Sequence, residues 1–222
     1  MSLSVLLVGG SPEACSSVLL NQLAGQSDVV VAVDHGLDAV LDAGLVPTLF
    51  CGDADSVSAN GASYLERARD GSSLFEIEKY NPYKDATDLA LALRAISERW
   101  HGERVIATSL SGGRPDHALG VLGCLARYDS GPIELVEDAF SARFLHSGES
   151  WYIRGARNQT FSAISLENGS VISEIGMEWE VDYLTMDALS DRGVSNVVRS
   201  CAARIDCHRG SVIAFLLNAL DA

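Results

Sequence analysis

The feature that most constrains the fold of this chain is a repeated alternation of short apolar runs and segments with helical periodicity over residues 1–130. The apolar runs are continuous, as in strands that are buried on both faces of a sheet. Alternating strands and helices predict a mostly parallel, doubly wound sheet that helices cover on both faces. The predicted strands lie at residues 4–8, 29–33, 47–51, 74–77 and 104–110.

Turn-forming residues indicate where the helices begin. Ser11 and Pro12 are typical of an N-cap and a first helical residue, which predicts a helix that runs to about Gly25. A helical period also begins near Asp85 and continues to about Trp100. Two further helices are predicted at about 37–43 and 62–69, and a last one follows the segment 111–117 and runs to about residue 128.

Residues 131–222 differ in character from the first part of the chain. Their β-branched runs are short, Gly, Asn and Asp turns separate them, and helical periodicity is weak. This pattern predicts a small antiparallel β-sandwich or barrel, with Arg209 and Gly210 as the turn of the last hairpin. We therefore predict two domains, 1–130 and 131–222. Strands of the second are predicted at 133–136, 151–153, 160–166, 171–175, 197–205 and 212–217.

Composition excludes several classes of partner. The formal charge is −14, from 30 acidic residues and 16 Lys and Arg, and no basic stripe is present. Nucleic acid and anionic membranes are therefore not expected partners. Five cysteines without a CxxC pair favour reduced thiols over a zinc ribbon or a disulfide framework. The first residues lack a basic region and a long apolar run, so we predict a cytoplasmic protein.

Acidic side chains recur in the first domain where strands end or helices begin. The carboxyl ends of parallel strands share one edge of a sheet, so these acids could converge although they are distant in sequence. Asp53 and Asp55 are close enough to repel each other unless a cation lies between them. Mg²⁺ that carries a polyphosphate is bound by such oxygen ligands. The acids are Asp34, Asp53, Asp55, Asp85, Asp88 and Asp116.

Each acid also has a purely structural alternative. Residues 52–56 could form a solvated turn, and Asp34 could do the same after its strand. Asp85 could be an N-cap with Asp88 three residues later. Asp116 could interact with the dipole of the helix that follows it. One shared site accounts for all of these loops together, and it is the hypothesis that we favour.

Two basic residues lie beside the acids. Lys84 can act as a mobile point charge on a phosphate, and Arg114 as a bidentate donor. Gly112 and Gly113 would let backbone N–H groups approach a phosphate at a helix N-terminus. A surface lysine and an ordinary glycine turn are the alternatives for these features.

Taken in order, these motifs resemble those of the thiamin pyrophosphokinase family. The resemblance covers nearly the whole chain, and an ordered set of motifs is more specific than any single one. The matching stretches are Val33–Asp38, Pro47–Ser56 with its GDADS sequence, Pro82–Asp88, Ser111–His117, and Gly176–Trp179 with Arg192–Asn196.

The resemblance implies transfer of the pyrophosphoryl group of ATP to the hydroxyl of thiamin, which gives thiamin diphosphate and AMP. It also implies Mg²⁺ and a homodimer with thiamin sites at the subunit interface. By position, the implied catalytic and metal residues are Asp53, Asp55, Asp88 and Asp116. The implied ATP-binding residues are Asp34, Ser56, Lys84, Asp85, Thr87, Arg114 and His117. The implied thiamin-binding residues are Trp179, Ser195 and Asn196.

The chain departs from the family pattern after Asp34, where His35-Gly36-Leu37-Asp38 replaces a motif with two glycines followed by Ala-Asn. Ala54 replaces the larger apolar residue that is common between the two aspartates. We expect His35 to have a structural or solvent role rather than to act as a base. One aspartate that is free of the metal, Asp55 or Asp88, could orient or deprotonate the thiamin hydroxyl. The alternatives are a diphosphokinase for a pterin alcohol and a nucleotide-sensing module on the same scaffold.

Overall fold

The computed structural model describes residues 3–71, 75–80 and 85–218. These residues form two compact units, Met1–Asp138 and Ala139–Ala222. The first is an α/β unit and the second is built of β-strands.

The first unit contains a parallel sheet with the strand order β6-β5-β1-β2-β3-β4. The chain adds β2, β3 and β4 on one side of β1, and then β5 and β6 on the other side. The direction of winding therefore reverses between β1 and β5, as in a doubly wound sheet. The strands are β1 (Ser4–Val8), β2 (Val29–Val33), β3 (Leu49–Gly52), β4 (Glu76–Lys79), β5 (Arg104–Thr108) and β6 (Ile133–Glu137).

Helices cover both faces of this sheet, as the alternation predicts. Leu6 and Phe50 belong to an apolar cluster with Leu20, Leu37 and Leu65 from helices. The residues between them along the strands are also buried, because alternate side chains point to opposite faces. The helices are α1 (Ser17–Ala24), α2 (Gly36–Asp42), α3 (Ala59–Arg69), α4 (Asp88–Arg99) and α5 (Pro115–Ala126). Within the described ranges, none of the helices has the length and apolar character needed to cross a bilayer.

Two helix starts differ from the sequence-based prediction. Helix α1 begins at Ser17 with Ser16 as its N-cap, so the predicted start at Pro12 was wrong. Ser11 is instead held by the loop after β5, because its backbone N–H donates to Ser109 O at 3.0 Å. In α4 the N-cap is Thr87, whose hydroxyl accepts from the Ala90 N–H at 3.2 Å, and not Asp85.

Strand β6 moves the boundary between the two units. The sequence-based prediction placed residues 133–136 in the second domain, but β6 pairs in parallel with β5. The division therefore falls after Asp138 rather than after residue 130. A strand that is buried on both faces has the same sequence pattern in a parallel sheet and in a sandwich. The sequence of the segment therefore does not show which strand it pairs with.

The second unit contains two antiparallel sheets, with strand orders β12-β9-β14-β7 and β11-β10-β13-β8. Apolar residues of both sheets, including Phe161, Ile172, Ile205 and Val212, share one core. This arrangement confirms the predicted antiparallel β domain. Its strands are β7 (Phe140–His146), β8 (Ser150–Ile153), β9 (Thr160–Ser165), β10 (Ser170–Ile175), β11 (Val181–Met186), β12 (Asn196–Val197), β13 (Ala203–Arg209) and β14 (Ser211–Leu217).

The predicted last hairpin is not formed. Strands β13 and β14 belong to different sheets, so Arg209 and Gly210 carry the chain from one sheet to the other. Gly210 has a φ of 80°, and a Cβ there would lie 2.4 Å from Ser170 Oγ. A glycine turn between two apolar strands is compatible with either arrangement, so the local pattern could not distinguish them. Strands β7 and β11 were not predicted.

We expect a Gly36→Ala substitution to destabilise the first unit by about 1–3 kcal/mol, because it overpacks a tight contact. A Cβ on Gly36 would lie 2.3 Å from Val8 O and 2.7 Å from Gly9 O. Urea unfolding of the variant would measure the loss. Gly120→Ala in α5 is the control, since it meets no atom within 4 Å. That variant should be neutral or up to about 1 kcal/mol more stable, and equal midpoints for the two variants would contradict this account.

Candidate functional site

A cavity of about 770 Å³ lies in the first unit, at the edge where the parallel strands end. The loops that follow β1, β2 and β5 line it, together with the N-terminal parts of α4 and α5. Open α/β sheets bind their ligands at such a reversal of winding. The predicted site residues in its wall are Asp34, Ser56, Thr87, Asp88, Arg114, Asp116 and His117.

Asp34 directly follows β2 in a strained backbone conformation, for which the neighbouring strand leaves room. Its φ is 48°, and its backbone N–H donates to Cys51 O at 3.1 Å. A Cβ on Gly52 would lie only 2.0 Å from Asp34 Oδ1. Gly52, the first residue of the GDADS motif, therefore leaves the space that the Asp34 carboxylate occupies.

Other predicted residues lie outside the cavity wall. Asp53 and Asp55 are in the loop after β3, where the Asp55 N–H donates to Asp53 Oδ1 at 3.1 Å. Such a bond is typical of an Asx turn. Asp85 is exposed shortly before α4, and Lys84 lies outside the described residues. Of the four predicted metal ligands, Asp88 and Asp116 are the ones that line the cavity.

Arg114 and Asp116 form a bidentate ion pair at the start of α5. The guanidinium donates from Nε to Asp116 Oδ1 at 3.1 Å and from Nη2 to Asp116 Oδ2 at 2.6 Å. These hydrogen bonds lower the pKa of Asp116 to about 2. Asp116 is therefore a carboxylate throughout the neutral pH range, and Arg114 is held at the cavity.

Glu137 organises the loop that leads to Arg114, and the sequence-based predictions gave it no role. Glu137 is 4% exposed, and its carboxylate accepts from the backbone N–H groups of Ser109, Leu110 and Ser111 at 3.0, 2.9 and 3.0 Å. A hydrogen bond to an ionised acceptor is stronger than a neutral one, and burial makes its loss costly. The sequence feature that could have indicated this role is an acidic residue at the end of an apolar run.

The loop after β1 packs against the same segment. The Ser11 hydroxyl donates to Ser111 O, and the Gly113 N–H donates to Glu13 Oε1 at 3.3 Å. Gly112 has a φ of 86°, and a Cβ there would lie 2.5 Å from the Glu13 carboxyl carbon. The glycine pair is therefore required by this loop contact, whatever it does for a ligand. Gly9, Gly10 and Ser11 also line the cavity, and they were missed as site residues.

The unusual motif after Asp34 has a structural role. His35 Nδ1 lies 3.2 Å from Ser56 O and 3.1 Å from Asp38 Oδ2. Asp38 is buried and accepts from the Ser58 N–H at 2.8 Å and from the Ser58 hydroxyl. Since Ser58 is the N-cap of α3, this motif connects α2 to the start of α3. His35 also lines the cavity.

The second unit has a smaller cavity, of about 190 Å³, lined by residues that include Trp179 and Asn196. Trp179 is 62% exposed. Asn196 holds the backbone of this residue from both sides, since its Oδ1 accepts from Trp179 N and its Nδ2 donates to Trp179 O. Ser195 has a φ of 65° and donates its N–H to Ser162 Oγ at 3.0 Å, but it is not among the lining residues.

The donor chemistry of the larger cavity suits Mg²⁺ that arrives with a phosphate. The residues at 3–71, 75–80 and 85–218 contain no group of three or more His, Cys, Asp or Glu placed to hold a metal ion. In nucleotide sites, however, Mg²⁺ takes one or two protein carboxylates and fills its other positions with phosphate oxygens and water. The carboxylates of Asp88 and Asp116 meet that requirement.

A family model described as thiamin pyrophosphokinase, catalytic domain, matches residues 20–136. A curated relative, the thiamine pyrophosphokinase of Bacillus subtilis (strain 168), is 32% identical over 120 residues. That alignment covers 53% of this chain and 51% of the relative, so the chain matches about half the length of this curated protein.

Solved structures show the same fold over nearly the whole chain. The thiamin pyrophosphokinase of Geobacillus thermodenitrificans has a TM-score of 0.83 at 23% identity and covers 99% of both chains. The thiamine pyrophosphokinase of Bacillus subtilis has a TM-score of 0.81 at 22% identity and covers 98% of this chain and 100% of that one. The Candida albicans enzyme of the same name has a TM-score of 0.80 at 14% identity, with 98% and 90% covered.

We expect Glu137→Ala to lower stability by at least about 2 kcal/mol, because a buried N–H without an acceptor costs about 1–3 kcal/mol. Hydrogen exchange should show lost protection at the amides of Ser109, Leu110 and Ser111. The control is Glu98→Ala, which removes a 62% exposed carboxylate paired with Arg94. That change should stay within about 0.5 kcal/mol of wild type. Wild-type exchange at the three amides of the Glu137 variant would contradict the role of this carboxylate.

We expect Arg114→Ala to raise the pKa of Asp116 from about 2 towards the ordinary value of about 4. The pKa of Asp116 is lowered in the folded protein, so the ion pair with Arg114 stabilises the folded state at neutral pH. That contribution is lost as the pH falls through about 2. Carbon-13 NMR titration of the carboxyl group measures the shift. Arg127→Ala, at the wall of the same cavity, is the control and should leave the titration unchanged. An unmoved pKa in the Arg114 variant would refute the assignment.

Proposed function

Because this chain belongs to the thiamin pyrophosphokinase family, we propose that it transfers the pyrophosphoryl group of Mg·ATP to the hydroxyl of thiamin. The products are thiamin diphosphate and AMP. The observation that carries this proposal is the cavity at the reversal of winding, where carboxylates and a guanidinium lie around a glycine-rich loop. The site is of the size expected for a small-molecule ligand.

The residues of the first unit have distinct tasks in this reaction. Arg114 binds a phosphate through the guanidinium N–H groups that do not pair with Asp116, and it stabilises the charge that develops in the transition state. Asp88 and Asp116 would hold the metal, with Asp53 and Asp55 as the further ligands that the resemblance implies. The chemistry that Mg²⁺ would supply there is neutralisation of the phosphate charge. Asp34, Ser56, Thr87 and His117 complete the nucleotide site together with Asp85, and the resemblance adds Lys84, which lies outside the described residues.

The acceptor is bound through the second unit. Trp179 presents an exposed indole face, and such a face attracts a cationic ring such as thiazolium. Asn196 holds the backbone of Trp179 in place, and Ser195 precedes it. Whichever of Asp55 and Asp88 is not bound to the metal orients the thiamin hydroxyl and takes its proton.

The assembly and location follow from the same assignment. We propose a homodimer, in which the thiamin sites lie at the subunit interface as the resemblance implies. A cytoplasmic location agrees with the cysteines, since all five are free thiols in the described part of the chain.

Product analysis tests the activity directly. The purified protein is incubated with Mg·ATP and thiamin, and the nucleotides and thiamin species are separated by chromatography. We expect AMP and thiamin diphosphate in equal amounts, and only when both substrates and the metal are present. ADP as the product would refute pyrophosphoryl transfer. Bound ATP without any thiamin product would instead favour the pterin alcohol or the nucleotide sensor.

Asp53→Asn distinguishes a catalyst from a sensor on the same scaffold. A catalyst should lose turnover by orders of magnitude, whereas a sensor would only bind Mg·ATP less tightly. Asp129→Asn is the control, since Asp129 is an exposed acid of the first unit that does not line the larger cavity. Turnover that is unchanged in the Asp53 variant would remove this residue from the catalytic set.

A further inference from the structure

The second unit places a carboxyl group where its neighbours are apolar. Glu174 is 2% exposed and lies two residues from the fully buried Ile172 on β10. Alternate residues of a strand share a face, so the two side chains point towards the same side of the sheet. Burial raises the pKa of Glu174 to about 7. A polar group in such a position destabilises the fold unless its hydrogen-bonding capacity is used.

One of the two carboxyl oxygens of Glu174 has a hydrogen-bond partner inside the protein. Glu174 Oε2 accepts from Asn196 Nδ2 at 2.6 Å. Glu174 Oε1 is buried and has no hydrogen-bond partner among the described residues. Glu174 is also one of the residues that line the cavity beside Trp179. Glu174 therefore borders the cavity with a carboxyl group of which one buried oxygen has no partner among the described residues.

Asn196 cannot supply the missing polar contact to a ligand. Its Nδ2 donates to Glu174 Oε2 and to Trp179 O, at 2.6 and 2.8 Å. Its Oδ1 accepts from the N–H groups of Trp179 and Val197, at 3.1 and 2.8 Å. A side-chain amide has two donors and two acceptor positions, so the protein uses all four. Asn196 is thus a positioning residue for Trp179 and Glu174.

We propose that Glu174 determines specificity for the acceptor by hydrogen bonding to the amino-substituted pyrimidine ring of thiamin in the cavity beside Trp179. This inference rests on the proposed function, in which thiamin is the acceptor. An aminopyrimidine offers an N–H donor and a ring nitrogen acceptor, so it can pair with the free oxygen of a carboxylate or of a carboxylic acid. A site built around a buried polar group rejects an analogue that leaves the group unpaired.

Two ligands and one substitution test this role. Calorimetry measures the binding of thiamin, and of the analogue with an oxygen in place of the exocyclic amino group, to the full-length protein. Wild type should bind thiamin at least about tenfold more tightly than the analogue. Glu174→Gln should weaken thiamin binding by about tenfold or more and should reduce this preference. The KM for Mg·ATP should stay unchanged, which a general loss of structure would not allow.

Glu178→Gln is the matched control, since Glu178 is 39% exposed and pairs with Arg199 near the same cavity. It should retain the affinities of wild type. If Glu174→Gln keeps the wild-type ratio of the two affinities, Glu174 only supports Asn196 and the inference is wrong.

The measurement on wild type does not depend on how the variant folds. If wild type makes thiamin diphosphate but binds both ligands equally well, the specificity role is refuted and the proposed function stands. If wild type neither binds nor converts thiamin, the proposed function fails, and this inference fails with it.

Discussion

The larger cavity depends on one buried carboxylate, that of Glu137, which accepts three successive backbone N–H groups of the loop after β5. This loop leads directly into the glycine pair and Arg114. The loop after β1 is attached to it through Ser11 and Glu13. Loss of these hydrogen bonds would lower the stability of the fold, because a buried ionised acceptor would be left without its donors. The two loops and the Glu137 carboxylate are therefore held together as one hydrogen-bonded network. The position of Arg114 is thus set by a residue that does not line the cavity.

The strand ends at this edge are close together, and glycines make that possible. Gly36 lies against the carbonyl groups of Val8 and Gly9, and Gly52 against the Asp34 carboxylate. Any larger residue would push the loops apart. The same crowding keeps Asp34 at the cavity, although its φ is unfavourable for a residue with a Cβ. The close packing of the backbone at the sheet edge therefore also fixes the position of the Asp34 carboxylate.

The second unit uses a polar network for a similar purpose. The side-chain amide of Asn196 uses all of its donors and acceptor positions in hydrogen bonds to Trp179, Val197 and Glu174. These bonds hold the backbone at Trp179 in place, and the residue itself stays exposed. The stability lost by placing Glu174 in an apolar core is the kind of local conflict that functional sites show.

The sequence by itself determined the strand and helix order of the first unit, the β character of the second, and the family. These follow from local periodicity, turn residues and ordered motifs, which each segment carries independently of its neighbours. Only the tertiary structure decided that Asp34, Asp88 and Asp116 line the cavity while Asp53 and Asp55 are not in its wall. It also decided that β6 joins the parallel sheet with Glu137 at its end, and that Arg209 and Gly210 connect two sheets. Strand pairing and side-chain burial depend on residues far apart in the chain, so no local pattern contains them.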